Sequence, residues 1–155
     1  MKTITLLLLF FLIVLSACEK DDFCIQNPVT SKLIIRFYDD TNRETKKRVQ
    51  DLSIFSDINS DTIPRYKIVN TDSIAIPLNS NALETVYNFS KGNIINKFTI
   101  KYDIEEVYIS RSCGYKVVFK NVEFSSASGS WITAFTPTTI INLDDQSKAH
   151  VQIFH

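Results

Sequence analysis

Glycine, proline, histidine, tryptophan and methionine are all scarce in these 155 residues, at three, four, two, one and one copies. With glycine only at positions 92, 114 and 129, there is no Gly-rich loop to cradle a phosphate and no GxSxG elbow to present a nucleophile. His150 and His155 lie five apart on an expected terminal edge strand and project to opposite faces, so they do not form half of a zinc site, which needs three or four converging donors. No basic block exceeds "KKR" at 46–48, which excludes the electrostatic footprint of a nucleic-acid binder. No sustained amphipathic helix is visible, and no period of 20–50 residues repeats. No metal, cofactor or catalytic set is specified, and the expectation is a non-enzymatic protein.

What is present begins with a leader. Lys2 supplies a minimal basic region, and "ITLLLLFFLIVL" at 4–15 is a twelve-residue apolar run. That is short of the roughly 20 residues a membrane span needs and suits the apolar segment of a signal peptide. Ser16, Ala17 and Cys18 follow.

The stretch "LSAC" resembles the bacterial lipobox. The resemblance implies that residues 1–17 are removed, that Cys18 takes a diacylglycerol on sulfur, and that its new amine is acylated. Several acyl chains hold far better than one, at about 0.8 kcal/mol per buried CH₂. Glu19, Lys20, Asp21 and Asp22 come next. This charged run resembles the tag that sends lipoproteins of the Bacteroidota to the outer leaflet of the outer membrane. The reading without that signal is a solvated tether. Without the leader the chain carries 16 basic and 17 acidic side chains, since Lys2 is the only charge lost.

Cys24 and Cys113 are then the only candidates for an intramolecular disulfide in an oxidising envelope. Such a bridge would add roughly 4–5 kcal/mol by restricting the unfolded chain. Two free thiols, or one reactive nucleophile, remain open on the residues alone.

From Lys32 onward, period-2 alternation dominates. Leu33, Ile35 and Phe37 share a face, as do Leu52 with Ile54; Ile74, Ile76 and Leu78; and Phe98, Ile100 and Tyr102. Further faces are Val107 with Ile109; Tyr115, Val117 and Phe119; and Val151 with Ile153. Turn signals separate these runs: "DDTN", "INSD", "NSN", "KGN", "SASGS" and "DDQS". The expectation is an all-β antiparallel sandwich, immunoglobulin-like or related, of about eight or nine short strands. It would span 32–155, after a signal peptide at 1–17 and a lipid-anchored tether at 18–31.

"CEKDDFC", "KLIIRFYD" and "IKYDIEEVYISRSCGYKVVF" together resemble a family of small Bacteroidota outer-membrane lipoproteins of uncharacterised function. In that pattern a Cys soon after the lipidated one accompanies a later Cys-Gly, as Cys24 and Cys113-Gly114 do here. The resemblance implies the Cys24–Cys113 disulfide and adds no activity.

The remaining candidates are weaker. Asp39-Asp40 and Asp144-Asp145 suit turns, and Glu105-Glu106 would point to opposite faces of a strand. "DTI" at 61–63 and "DSI" at 72–74 resemble the O-glycosylation motif of Bacteroidota envelope proteins, making Thr62 and Ser73 candidate acceptors. Packing accounts for most aromatics. Trp131, Tyr38, Tyr66, Tyr87 and Tyr108 are those that could leave the core face and bind a glycan or protein. The expected function is a lipid-anchored, surface-exposed binding or structural module. The rivals are a periplasm-facing accessory subunit of an uptake or secretion complex, and an enzyme.

Overall fold

Residues 30–57, 61–127 and 131–155 are described by the computed structural model. The signal peptide, Cys18, the Glu19–Asp22 tag and Cys24 lie outside them. Among the described residues, ten strands form two sheets. They are β1 (Leu33–Tyr38), β2 (Val49–Ser56), β3 (Val69–Thr71), β4 (Ser73–Ile76), β5 (Glu84–Lys91), β6 (Ile94–Ser110), β7 (Gly114–Ser126), β8 (Ala134–Thr136), β9 (Thr139–Asn142) and β10 (Val151–Phe154). One sheet runs β4-β1-β10-β8 and the other β3-β2-β5-β6-β7-β9. The fold is an all-β sandwich with mostly antiparallel pairing; β1 and β10 pair in parallel, with Ile35 opposite Val151.

The core is the layer between the sheets, and the alternation of the sequence builds it. Leu33, Ile35, Phe37, Val151 and Ile153 from one sheet meet Leu52, Ile54, Phe89, Phe98 and Ile100 from the other, all fully buried. Each such side chain contributes about 1.5–3 kcal/mol on leaving water. Phe98 sits centrally, 5.5 Å from the ring of Phe89, 6.1 Å from Phe124 and 5.5 Å from Phe135.

Two strands are long rather than short. The expected runs at 97–103 and 106–110 are one strand, the seventeen-residue β6. Its partner β7 carries a bulge, where Lys101 faces Glu123 but Asp103 faces Lys120. Asn121 takes up the extra residue at φ +47°. The bulge moves the buried set of β7 from Phe119 to Val122 and Phe124, a phase change that alternation alone does not announce.

Edges and crossings are held by tyrosine hydroxyls. Tyr66 is buried on the short 3₁₀ turn Pro64–Tyr66; its hydroxyl accepts from the Ala75 amide at 2.7 Å and donates to the Ala75 carbonyl at 3.3 Å. Tyr87 donates to the Pro77 carbonyl and Tyr102 to that of Asn79, each at 2.7 Å, fixing the crossing between sheets. Burial pushes the Tyr87 phenol up to about 12. The polar run at 41–50 leads into β2, which starts at Val49. It loops beside the outer face of β10, where the Arg43 guanidinium lies 4.5 Å above the Phe154 ring.

Candidate functional site

The part of the molecule that leaves the sandwich is the far half of the β6–β7 hairpin. β5 accompanies β6 only as far as Lys101, and β9 meets β7 from Lys120 to Glu123. Among the described residues, 105–118 therefore form a two-stranded ribbon closed by Arg111, Ser112 and Cys113, while Ile104, Val117 and Phe119 at its base still pack on the core. Gly114 takes φ +67° at the turn, a conformation that glycine adopts without steric cost. The Cys113 amide donates to the Ser110 hydroxyl at 3.0 Å.

Each ribbon face has its own chemistry. Tyr108 and Tyr115 are directly opposed, with ring centroids 5.4 Å apart and planes at 66°. They stay 54% and 64% exposed, continuing the core-facing side of the sheet beyond the opposing sheet. The other face carries Glu105, Val107 and Ile109 beside Lys116 and Val118. Lys120 pairs with Glu105 at 3.3 Å, and Lys116 with Asp144 at 3.0 Å. The Asp144 carboxylate also accepts from the Ser31 hydroxyl at 3.3 Å. Ser31, counted in the tether by sequence, is 5% exposed and joins the body here.

The acidic pairs serve turns and surface ion pairs. Asp39 accepts from the Thr41 amide at 2.8 Å and pairs with Lys47 at 2.8 Å. The Lys47 ammonium, aided by Thr41, holds its carboxyl well below the usual range. Asp145 is held at about 2, first by the Ser147 hydroxyl. Glu105 and Glu106 face opposite ways, as expected. Among the described residues, no three His, Cys, Asp or Glu side chains gather as a metal site.

The histidines correct one expectation. β10 is not an edge strand; it lies between β1 and β8, because its parallel pairing with β1 places it inside the sheet. His150 is buried, its Nδ1 accepting from the Ile34 amide at 2.9 Å. His155 packs edge-on to Phe37 and Trp131, at 6.1 and 5.6 Å. Burial pushes the pKa of both rings down.

Of the aromatics that could leave the core face, Tyr66, Tyr87 and Trp131 are buried, in keeping with packing as the role of most aromatics. Their polar atoms reach backbone carbonyls, as the Trp131 indole N–H does at Phe89, 3.1 Å away. Tyr38 is half-buried against Phe154. Only Tyr108 projects into solvent, and its partner Tyr115, read as a core position, projects with it. Tyr115 was misplaced because the ribbon outruns the sheet that would have covered it.

The candidate glycosylation positions differ in their surroundings. Thr62 is half-buried in a bridge to Phe55, and Ser73 donates its hydroxyl to the Ile35 carbonyl at 3.2 Å. Cys24 lies outside the described residues, so its pairing with Cys113 belongs to the proposal below. Among the described residues are shallow depressions of 240 Å³ by Asn121, Glu123 and Ile141 and of 310 Å³ by Ile132, Phe135 and Thr138.

Fold and surface thus define a two-sheet β-sandwich protein with a projecting ribbon. Residues 51–155 match the family of unknown function DUF6452, and the chain belongs to that family. No curated protein and no solved structure matches it.

Proposed function

We propose that this protein is a lipid-anchored, non-enzymatic binding or structural module of a bacterial outer membrane, displayed at the cell surface. The observation that carries the reading is the "LSAC" stretch at 15–18, directly behind a twelve-residue apolar run. Cys18 takes the lipid, and Glu19, Lys20, Asp21 and Asp22 act as the export signal of a Bacteroidota lipoprotein. The body supports this reading by where it starts. Ser31 docks at Asp144, thirteen residues after Cys18, which is a short leash between lipid and sandwich.

Cys24 and Cys113 form the disulfide that clamps the leash to the ribbon tip. Residues 24–31 reach about 23 Å at about 3.3 Å per residue. Ser31 lies by the Asp144–Lys116 pair, and Lys116 is about 10 Å along the strand from Cys113. Binding of a glycan or protein falls to the exposed Tyr108–Tyr115 pair, whose rings offer flat apolar area with polar ends. Thr62 is the better glycan acceptor, since the Ser73 hydroxyl is engaged within its sheet.

Intact mass of the membrane-extracted protein, before and after reduction and alkylation, tests the reading. A chain lacking residues 1–17, carrying acyl chains and showing no free thiol before reduction, is expected. A cleaved, unacylated protein with free thiols overturns it. Protease shaving of intact cells separates surface display from a periplasm-facing accessory subunit.

A further inference from the structure

The ribbon is seated at its base, where Ile104, Val117 and Phe119 pack on the core. What it leaves open is an edge. The Tyr102 amide donates to the Leu83 carbonyl at 3.0 Å, on the β5 side. Backbone groups alternate in direction along a strand, so those of Ile104, Glu106 and Tyr108 face the same way. The other strand agrees, since the Phe119 carbonyl, on the residue opposite Ile104, points outward to the Leu143 amide at 3.0 Å. β5 ends its pairing at Lys101, and among the described residues no strand takes up these outward groups beyond Leu83. Other edges of the fold are treated differently. β4 is plugged by the Tyr66 hydroxyl, and β3, β8 and β9 run only three or four residues. The outer side of β7 is flanked by Leu143 and by Asp144 with its Lys116 and Ser31 partners.

An open edge accepts a further strand, and the residues along this one select a second copy of itself. Antiparallel pairing about a two-fold axis has few possible centres. A centre at Glu106 or nearer the base drives the tip of the second ribbon against β5, which reaches Lys101. At Glu106 it also sets two carboxylates directly opposite, which is destabilising. A centre at Tyr108 has to pair through the irregularity between Tyr108 and Ser110, where the register with β7 shifts. A centre at Val107 meets neither obstacle. It opposes Val107 to itself, sets each Glu106 against Tyr108 of the second copy, and joins them by about four main-chain hydrogen bonds. Val107, half-buried, and Ile109, 41% exposed, then meet their counterparts across the axis. The ends match in charge as well. Arg111, exposed at the tip, is carried toward the second copy's Asp103 at the base.

We infer that the protein self-associates edge to edge, β6 against β6 of a second copy, about a two-fold axis at Val107. The contact goes beyond the proposed anchoring function and does not depend on acylation at Cys18. It sets the two Tyr108 residues on a diagonal, about 7–8 Å apart. Tyr115, Tyr108 and their counterparts then form one aromatic row across four strands.

The test uses the complete mature chain, residues 18–155, with Cys18→Ser so that an unacylated thiol cannot link copies. One strand pair makes a small interface of the transient class, so sedimentation is followed from about 10 to 500 µM. Expected is a reversible monomer–dimer equilibrium, with amide exchange at Glu106 and Tyr108 slowing as concentration rises. Glu106→Pro removes an outward amide and leaves the bonds to β7; it should weaken the dimer at least about ten-fold. A second variant covers the case in which that one fails to fold. Val107→Cys should cross-link two copies at position 107 on mild oxidation, at least about ten-fold faster than Glu106→Cys or Tyr108→Cys does at its own position. A monomer throughout the range overturns the proposal, as does a dimer that a folded Glu106→Pro variant leaves intact or faster cross-linking at 106 or 108. Protection of Glu106 and Tyr108 that does not change with concentration assigns the edge to another part of the same chain, and likewise overturns it.

Discussion

The Tyr66 hydroxyl sits 2.7 Å from the amide nitrogen of Ala75 and 3.3 Å from its carbonyl oxygen. One side chain therefore occupies both hydrogen-bonding groups of a residue on β4, an edge strand of its sheet. Unpaired edge groups invite another chain to add to the sheet. Tyr66→Phe keeps the ring and removes the plug. We expect a loss of about 1–2 kcal/mol in urea unfolding, accompanied by light scattering that rises with protein concentration. An unchanged midpoint with no self-association would show that the hydroxyl protects nothing.

Phe98 is the aromatic on which Phe89, Phe124 and Phe135 converge. Phe98→Ala should cost about 3–5 kcal/mol, the range for deleting a buried phenylalanine. Phe55→Ala, at a half-buried outer position of β2, should cost less than half of that. Chemical denaturation of the two variants checks the order.

Burial lowers the pKa of His150 and His155 in the folded chain. Unfolded histidine binds a proton near pH 6.5, so the unfolded state takes up protons first as pH falls. The stability from keeping both rings neutral is present in full above 6.5. It declines as pH drops from there toward the folded values. The denaturation midpoint should fall between pH 7.5 and 5, and His150→Asn, which retains an acceptor for the Ile34 amide, should flatten that slope. Asp39, Asp57 and Asp145 have lowered values and titrate below this window.

Trp131 offers a local reporter, since the chain has a single tryptophan and its ring lies 5.6 Å from that of His155. A protonated imidazole quenches a neighbouring indole. Emission should drop on acidification with a midpoint below 6.5 while the protein remains folded, and His155→Phe should abolish the drop. A midpoint at or above 6.5 would contradict the burial of the ring.

Much of the sandwich was legible because alternation reports burial wherever one face of a strand meets the core. Leu33, Ile35, Phe37, Phe98, Ile100 and Tyr102 all fell where their spacing placed them. The failures have physical causes. β3, β8 and β9 have three or four residues each, too few to show a period. β5 was passed over because Thr85, a buried polar residue, opens its inward face ahead of Tyr87 and Phe89. Tyr115 misled because alternation describes a strand's two sides and not whether another sheet lies opposite. The ribbon was half visible: its sequence was read as two strands and a Cys-Gly turn, but its projection depends on where β5 and β9 stop.

The parallel pair of β1 and β10 sets a condition on how the molecule is made. Ile35 must wait for Val151, and β8 touches its sheet only through β10. A nascent chain emerging amino end first can assemble the larger sheet early, but it holds β1 and β4 as an orphan pair until β10 is free. Closure of this sheet thus waits on a contact of high sequence separation, the kind that forms late in folding. A stop codon just before Val151 would remove a four-residue strand and, with it, the seam that joins the β1–β4 pair to β8.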